Sequence, residues 1–165
     1  MAKKISDIAG QGGLAEVVSR AVVETFTNMF GQTLSAGKNS IQPAAPHSVV
    51  MTYVKLSHNQ EDFAFCFKFD TALLLKAAES VFSVEYIQSN PVVEDVACEI
   101  ANIVGGKVKV YLKDQGYYTD MGFPFLSTSD EAVALAEHES VPMHFFFTDA
   151  GAKPGVGVAV DFIVT

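Results

Sequence analysis

The chain has 165 residues, of which 49% are hydrophobic and 18% charged, and it carries a net charge of −8. This length fits a single domain over 1–165, with 1–13 as a flexible leader, and the apolar content is too high for a disordered chain. Because acidic residues outnumber basic ones and no basic cluster exceeds Lys3-Lys4, binding to nucleic acid is not expected.

No apolar run approaches the roughly 20 residues that cross a bilayer. Lys3-Lys4 is followed by Asp7 and a glycine cluster, where a signal peptide would need an apolar stretch. We therefore expect a cytoplasmic protein that does not associate with membranes. Cys66 and Cys98 both lie among apolar residues, which favours buried, reduced thiols over a disulfide or a metal site.

The first half of the chain reads as a helix followed by two strands. Apolar residues at steps of three and four predict an amphipathic helix from Leu14 to Phe30, which Gly31 ends. Two alternating runs, Ser48–Leu56 and Asp62–Phe69, predict strands that a short hairpin loop connects.

Two further helices are predicted in the middle of the chain. Asp70 or Thr71 can cap a short helix that extends to Val81. Ser89-Asn90-Pro91 marks the start of a long helix, with a capping residue before a proline at the first helical position. This helix is predicted to continue beyond Gly105-Gly106, although the alternating residues 107–113 would also fit a strand.

The last third predicts a β segment over Tyr117–Leu126, a short helix over Glu131–Glu137, and a final antiparallel hairpin of Pro142–Thr148 and Gly157–Val164. The order of elements resembles one αββα-type unit used twice. We therefore predict an α+β fold in which two long helices pack on a largely antiparallel β-sheet. The four-residue strings that begin at Asn28 and at Asn102 are the faint sequence trace of this duplication.

The long helix carries the residues on which a function can be argued. Asp95, Glu99, Asn102 and Gly106 follow one another at spacings of four, three and four. At 100° per residue they lie within a band of about 60° on the face opposite the apolar one. Glu99 and Asn102 can therefore contact one common object in front of the helix, although a solvated polar face is the ordinary alternative.

The two glycines in this helix strengthen the functional interpretation. Each costs about 1 kcal/mol relative to alanine inside a helix, so another requirement is expected to favour them. Gly106 lies on the same stripe and would let a partner's backbone approach Asn102. Gly105 would let a neighbouring helix pack closely.

The run from Val93 to Lys107, followed by Phe123-Pro124, resembles the signature of the CheC/CheX/FliY phosphatases. Asp95, Glu99, Asn102 and Pro124 occupy the positions of that signature. The first helix has Thr25 three residues before Asn28, where a second motif would have a carboxylate, so the single copy resembles CheX more than CheC.

This resemblance implies a CheC-like fold and a phosphatase that hydrolyses the aspartyl phosphate of a CheY-like response regulator in chemotaxis or a related two-component pathway. It implies catalytic roles for Glu99 and Asn102 and partner contacts at Asp95 and Gly106. It also implies a homodimer and no cofactor bound by this chain, with Mg²⁺ held by the regulator.

Two other classes of function stay open. One is a non-catalytic module of the same fold that binds a response regulator or the flagellar switch, and the other is a sensor domain with a small ligand between its helices. A metallohydrolase or serine hydrolase is not predicted, since the four histidines have no metal-ligand spacing and no nucleophile-elbow pattern occurs.

Overall fold

The computed structural model of the chain describes residues 12–37, 49–127, 140–149 and 157–164. The elements, in chain order, are α1 Gly12–Phe30, β1 Leu34–Gly37, β2 Val49–His58, β3 Glu61–Asp70, α2 Thr71–Glu79, α3 Val84–Ser89, α4 Val92–Asp114, β4 Asp120–Met121, β5 Phe125–Leu126, β6 Ser140–Asp149 and β7 Gly157–Val164. The predicted helix over 131–137 lies outside the described residues.

The seven described strands form one sheet in the order β1-β6-β7-β3-β2-β4, and β5 also pairs with β2. Every pairing among them is antiparallel. The order is symmetric: β1 follows α1 but pairs with β6 in the second half, while β4 follows α4 and pairs with β2 in the first half. If β1, β2 and β3 are exchanged with β4, β6 and β7, the same strand order results, read from the opposite edge of the sheet. This symmetry supports the predicted duplication. The helices and the antiparallel sheet confirm the α+β class.

The core lies between one face of this sheet and the helices. Phe63, Phe65, Phe67 and Phe69 alternate along β3 and are fully buried. They share one cluster with the apolar faces of α1, α2 and α4, including Phe26. Because burial of each large side chain stabilises by about 1.5–3 kcal/mol, this alternating phenylalanine row fixes which face of β3 the helices cover.

The loop of the β2–β3 hairpin is shorter than the interval 57–61 between the two predicted strands. Asn59 and Gln60 alone form the turn, with φ values of 47° and 66°. Positive φ at both central residues is the geometry of a two-residue type I′ turn, which matches the twist of the paired strands.

The connection between α2 and α4 differs from the prediction. A separate short helix, α3, occupies this segment, and the Ser83 hydroxyl caps it by accepting a hydrogen bond from the Tyr86 N–H at 3.2 Å. Asn90 does not cap α4 as predicted, because its amide donates backward to the Tyr86 carbonyl at 2.9 Å. Pro91 is itself the N-cap residue of α4. Val81 lies outside α2 and is 55% exposed.

Two other predicted elements also have different boundaries. The predicted strand Tyr117–Leu126 is two strands of two residues each, β4 and β5, separated by residues 122–124. Pro124 has no N–H to donate to β2, which accounts for the interruption. At the other end, α1 begins at Gly12, so the last two residues of the predicted leader are helical.

Candidate functional site

Helix α4 is continuous for 23 residues and includes both Gly105 and Gly106. This confirms the predicted helix and excludes a strand over 107–113. Val96, Ile100 and Val104 lie on its buried face.

The candidate stripe, defined as Asp95, Glu99, Asn102 and Gly106, lies on the outer face of α4. Asp95 and Glu99 are exposed, whereas Asn102 and Gly106 are half-buried. Glu99 and Asn102 are one turn apart, about 4.5 Å along the helix axis, so both can contact a single partner group. Within the described part of the chain, neither side chain forms a hydrogen bond or an ion pair.

Close packing of α4 on the sheet determines where this stripe points. A Cβ atom at Gly105 would lie 3.0 Å from the Met121 sulfur and 3.2 Å from the Val54 side chain. The prediction that Gly105 admits a neighbouring helix is therefore wrong, because the close neighbours belong to strands β2 and β4. At Gly106 no atom of the described residues lies within 4 Å of such a Cβ atom, so that position is open to a partner.

The charges at the N-terminal end of the stripe are negative. Glu94 and Asp95 lie in the first turn of α4, where the positive end of the helix dipole favours them. Burial raises the pKa of the neighbouring Cys98 thiol, and the charges of Asp95 and Glu94 raise it further. This thiol is therefore protonated at neutral pH and unsuited to act as a nucleophile.

The equivalent position in α1 lacks the chemistry of the stripe. Thr25, which corresponds to Glu99, is buried, and its hydroxyl donates to the Ala21 carbonyl at 2.6 Å. Asn28, which corresponds to Asn102, is exposed. A buried and internally bonded Thr25 cannot serve a partner, so α1 lacks an available carboxylate at the position that corresponds to Glu99.

An apolar groove, which we call the Phe82 groove, adjoins the stripe. It has a volume of about 370 Å³. Its walls come from the end of α1, the α2–α3 connection, α3 and the first turns of α4: Met29, Phe30, Val81, Phe82, Tyr86, Val92, Asp95, Val96 and Glu99. Sequence reasoning missed this groove because α3 was not predicted, although the spacing of Phe82 and Tyr86 by one helical turn was a usable signal.

A second groove of about 480 Å³ lies between α1 and α4 and includes Gly106 in its wall. The Lys107 ammonium donates to the Glu24 carboxylate across it at 3.3 Å. This groove leaves room for a small ligand between α1 and α4, so the structure does not contradict the sensor-domain alternative.

Pro124, the last member of the signature, is half-buried between β4 and β5 at the edge of the sheet. It is not on α4, although Met121 at the end of the preceding strand β4 has its sulfur close to Gly105 of that helix. The structure therefore groups Asp95, Glu99, Asn102 and Gly106 along α4 and leaves Pro124 in a neighbouring turn.

The described residues contain no group of three or more His, Cys, Asp or Glu side chains arranged to hold a metal ion. Across the same residues, no helix is both long enough and apolar enough to span a membrane.

Comparisons with known proteins establish the fold. No family model matches the sequence, and no curated relative matches it. Among solved structures, a CheC-like superfamily protein from Shewanella sp. PV-4 is 17% identical, with a TM-score of 0.65 over 93% of this chain and 97% of that one. The chemotaxis protein CheX from Vibrio vulnificus is 16% identical, with a TM-score of 0.67 over 92% of this chain and 96% of that one.

A third similar structure is a complex of CheX with CheY, BeF₃ and Mg²⁺ from Borrelia burgdorferi. It is 15% identical, with a TM-score of 0.64 over 90% of this chain and 96% of that one. These likenesses extend over nearly the whole chain, so the chain has the CheC-like fold.

Proposed function

We propose that this chain is a CheX-like phosphatase that hydrolyses the aspartyl phosphate of a CheY-like response regulator. The observation that carries the proposal is the pairing of Glu99 with Asn102 on the outer face of α4, one turn apart and without partners among the described residues. Polar side chains held on a rigid, closely packed helix are suited to act on a group presented by another protein.

The chemistry required of this chain is small. In the hydrolysis, the oxygen of a water molecule attacks phosphorus, the bond from phosphorus to the aspartyl oxygen breaks, and the carboxylate leaves. The regulator supplies Mg²⁺ and a lysine that neutralise the phosphoryl oxygens, so what remains is to place the water in line. The neutral amide of Asn102 can hold that water without adding negative charge beside the phosphoryl group.

The other members of the stripe are suited to binding. The Glu99 carboxylate would pair with the active-site lysine of the regulator and fix the register of α4 against it. Asp95, one turn earlier, would contact the partner beside Glu99. Gly106 would admit the partner's backbone next to Asn102, because the space around it is open.

The solved CheX in complex with CheY supports the choice of partner, since that protein shares the fold of this chain. A response regulator works in the cytoplasm, so we place this chain there, as a homodimer that ends a chemotaxis signal or a related two-component signal. The Mg²⁺ belongs to the regulator and not to this chain.

The alternative is a module of the same fold that binds a response regulator or the flagellar switch without hydrolysis. The presence of both Glu99 and Asn102 on the exposed face favours the enzyme, since binding alone does not require a water-positioning amide. The decisive experiment is release of phosphate from a panel of phosphorylated CheY-like receiver domains, with Asn102→Ala as the matched variant. Equal release by the parent protein and by Asn102→Ala would contradict the proposed mechanism.

A further inference from the structure

The Phe82 groove is an exposed apolar surface beside the stripe. The rings of Phe82 and Tyr86 stack with centroids 4.9 Å apart, and they are 36% and 46% exposed. Of the nine large hydrophobic residues that are exposed in the described part of the chain, four line this groove. A contiguous patch of this kind commonly marks an interaction site.

The charge around the groove favours one kind of partner. The segment over 77–106 contains no Lys, Arg or His, but it contains five carboxylates. They are Glu79, Glu85, Glu94, Asp95 and Glu99. Among the described residues none of these carboxylates forms an ion pair. Two of the five, Asp95 and Glu99, lie in the wall of the groove, and we call them its acidic rim. A surface of apolar rings with this acidic rim complements a partner that presents apolar side chains next to lysine or arginine.

The small area of the stripe also indicates that the Phe82 groove takes part in binding. A specific protein complex buries about 800 Å² on each partner, and four residues, one of which is glycine, cannot supply that area. Asp95 and Glu99 are themselves part of the groove wall. A protein that contacts Glu99 therefore also covers the groove.

We propose that the Phe82 groove is the docking site of the response regulator, where it receives an apolar side chain adjacent to the regulator's active-site lysine. This inference rests on the proposed function and assigns a separate task to the groove. The groove contributes affinity already in the ground-state complex and selects among regulators, while Asn102 acts on the rate. Phe82 and Tyr86 are the specificity-determining residues.

The test measures affinity and turnover separately. Binding is followed by fluorescence anisotropy with a labelled CheY-like receiver domain carrying BeF₃⁻ and Mg²⁺, and turnover by phosphate release at saturating phosphorylated receiver. We expect Tyr86→Ala and Phe82→Ala each to weaken binding about tenfold or more, with little change in turnover at saturation. Tyr118→Ala is the matched control, because Tyr118 is 71% exposed and lines a different pocket, beside Lys109 and Lys113. It should bind as the parent does, within about twofold.

The acidic rim adds a second expected result. The affinity of the parent for the receiver should fall as salt is raised, since screening weakens pairing between exposed charges. Neither aromatic ring belongs to the buried core, so both variants should retain the parent's thermal melt.

Several outcomes would separate the possibilities. If Phe82→Ala and Tyr86→Ala are folded and bind the receiver as tightly as Tyr118→Ala does, the proposed docking site is wrong. The proposed phosphatase activity is then judged separately, from the effect of Asn102→Ala on phosphate release. If the parent binds the receiver but releases no phosphate, and Tyr86→Ala abolishes binding, the groove stands and the phosphatase is wrong. If Tyr86→Ala instead abolishes self-association and leaves receiver binding intact, the groove belongs to a second copy and the inference is overturned.

Discussion

Gly105 lies so close to Val54 that a Cβ atom at Gly105 would stand 3.2 Å from both Cγ atoms of the valine. At the next residue, Gly106, the described part of the chain has no atom within 4 Å of the same hypothetical atom. The two adjacent glycines of α4 therefore have opposite surroundings. Gly105 packs against the sheet, whereas Gly106 lies in an open part of the stripe.

Alanine at these two positions should change stability in opposite directions. A helical glycine replaced by alanine gains up to about 1 kcal/mol in the free energy of unfolding. At Gly105 overpacking against Val54 and Met121 costs about 1–3 kcal/mol, so Gly105→Ala should be destabilising by about 1 kcal/mol overall. Gly106→Ala should be stabilising by about 0.5–1 kcal/mol. Urea unfolding of both variants measures this, and equal shifts would contradict the packing described for Gly105.

The same Gly106→Ala variant tests the role of this position in binding. If a partner's backbone approaches Asn102 over Gly106, the added methyl group should weaken binding of a receiver domain while the protein itself becomes more stable. Anisotropy with the BeF₃⁻ form of the receiver, run beside a thermal melt, separates the two effects. Unchanged affinity would mean that the partner does not approach this residue.

Much of this fold follows from periodicity in the sequence. The phenylalanines at every second position of β3 and the apolar steps of α1 and α4 predict their elements because burial enforces the period of each structure. The stripe could be predicted from sequence for the same reason, since the spacing of Glu99 and Asn102 puts them on one face of a helix.

What the sequence does not predict depends on tertiary contacts. Helix α3 has six residues, too few for a clear period, and its cap depends on Ser83 adopting an extended conformation. The cap of α4 was predicted wrongly because Asn90 bonds to Tyr86 of α3, an element that the pattern did not indicate. The Phe82 groove arises where three helices meet, so the spacing of Phe82 and Tyr86 could indicate two of its residues but not the groove itself.

A carboxylate in the β2–β3 hairpin predicts a pH effect on stability. The Ser57 hydroxyl donates to Asp62 at 2.6 Å and lowers the pKa of that carboxyl, burial opposes the shift, and the Lys55 ammonium at 3.1 Å lowers it further. Because the pKa is lower in the folded state, the stabilisation is present above the unfolded value of about 3.9 and is lost as pH falls through the folded value.

Asp62→Asn should therefore melt slightly below the parent protein at neutral pH, and the gap should begin to narrow below about pH 4 and close only below the folded pKa of Asp62. The effect should be small, since the Asp62 side chain is 38% exposed. Thermal melts of both proteins between about pH 3 and 7 provide the measurement. Ser57→Ala should raise the pKa of Asp62 in an NMR titration, and a gap that does not depend on pH would count against this account.

The homodimer is a prediction about solution behaviour. Among the described residues, the outer strands β1, β4 and β5 are so short that they leave parts of the β2 and β6 edges unpaired. Exposed strand edges are commonly paired or covered in stable proteins. Light scattering at micromolar concentration should give about twice the mass of the chain, with the stripe outside the interface. A monomer mass would contradict the dimer. If Asn102 became buried on self-association, the prediction that the stripe lies outside the interface would be wrong.

The last prediction concerns the division of labour between Glu99 and Asn102. If Asn102 orients the attacking water, its interaction appears mainly in the transition state, so Asn102→Ala should lower kcat strongly while the regulator still binds. Glu99 would pair with a lysine that is already present in the ground-state complex, so Glu99→Ala should weaken affinity and also slow turnover through loss of register.

Both side chains lie on the outer face of α4 and have no partners among the described residues, so either substitution should change the free energy of unfolding by only about 0.5 kcal/mol. Phosphate release, receiver binding and a thermal melt of each variant measure the three quantities. Tyr118→Ala controls for nonspecific effects of truncation to alanine. A variant at Asn102 that binds the regulator normally but no longer hydrolyses its phosphate would separate the two roles, whereas equal loss of affinity in both variants would mean that Asn102 contributes to binding and not to placement of the water.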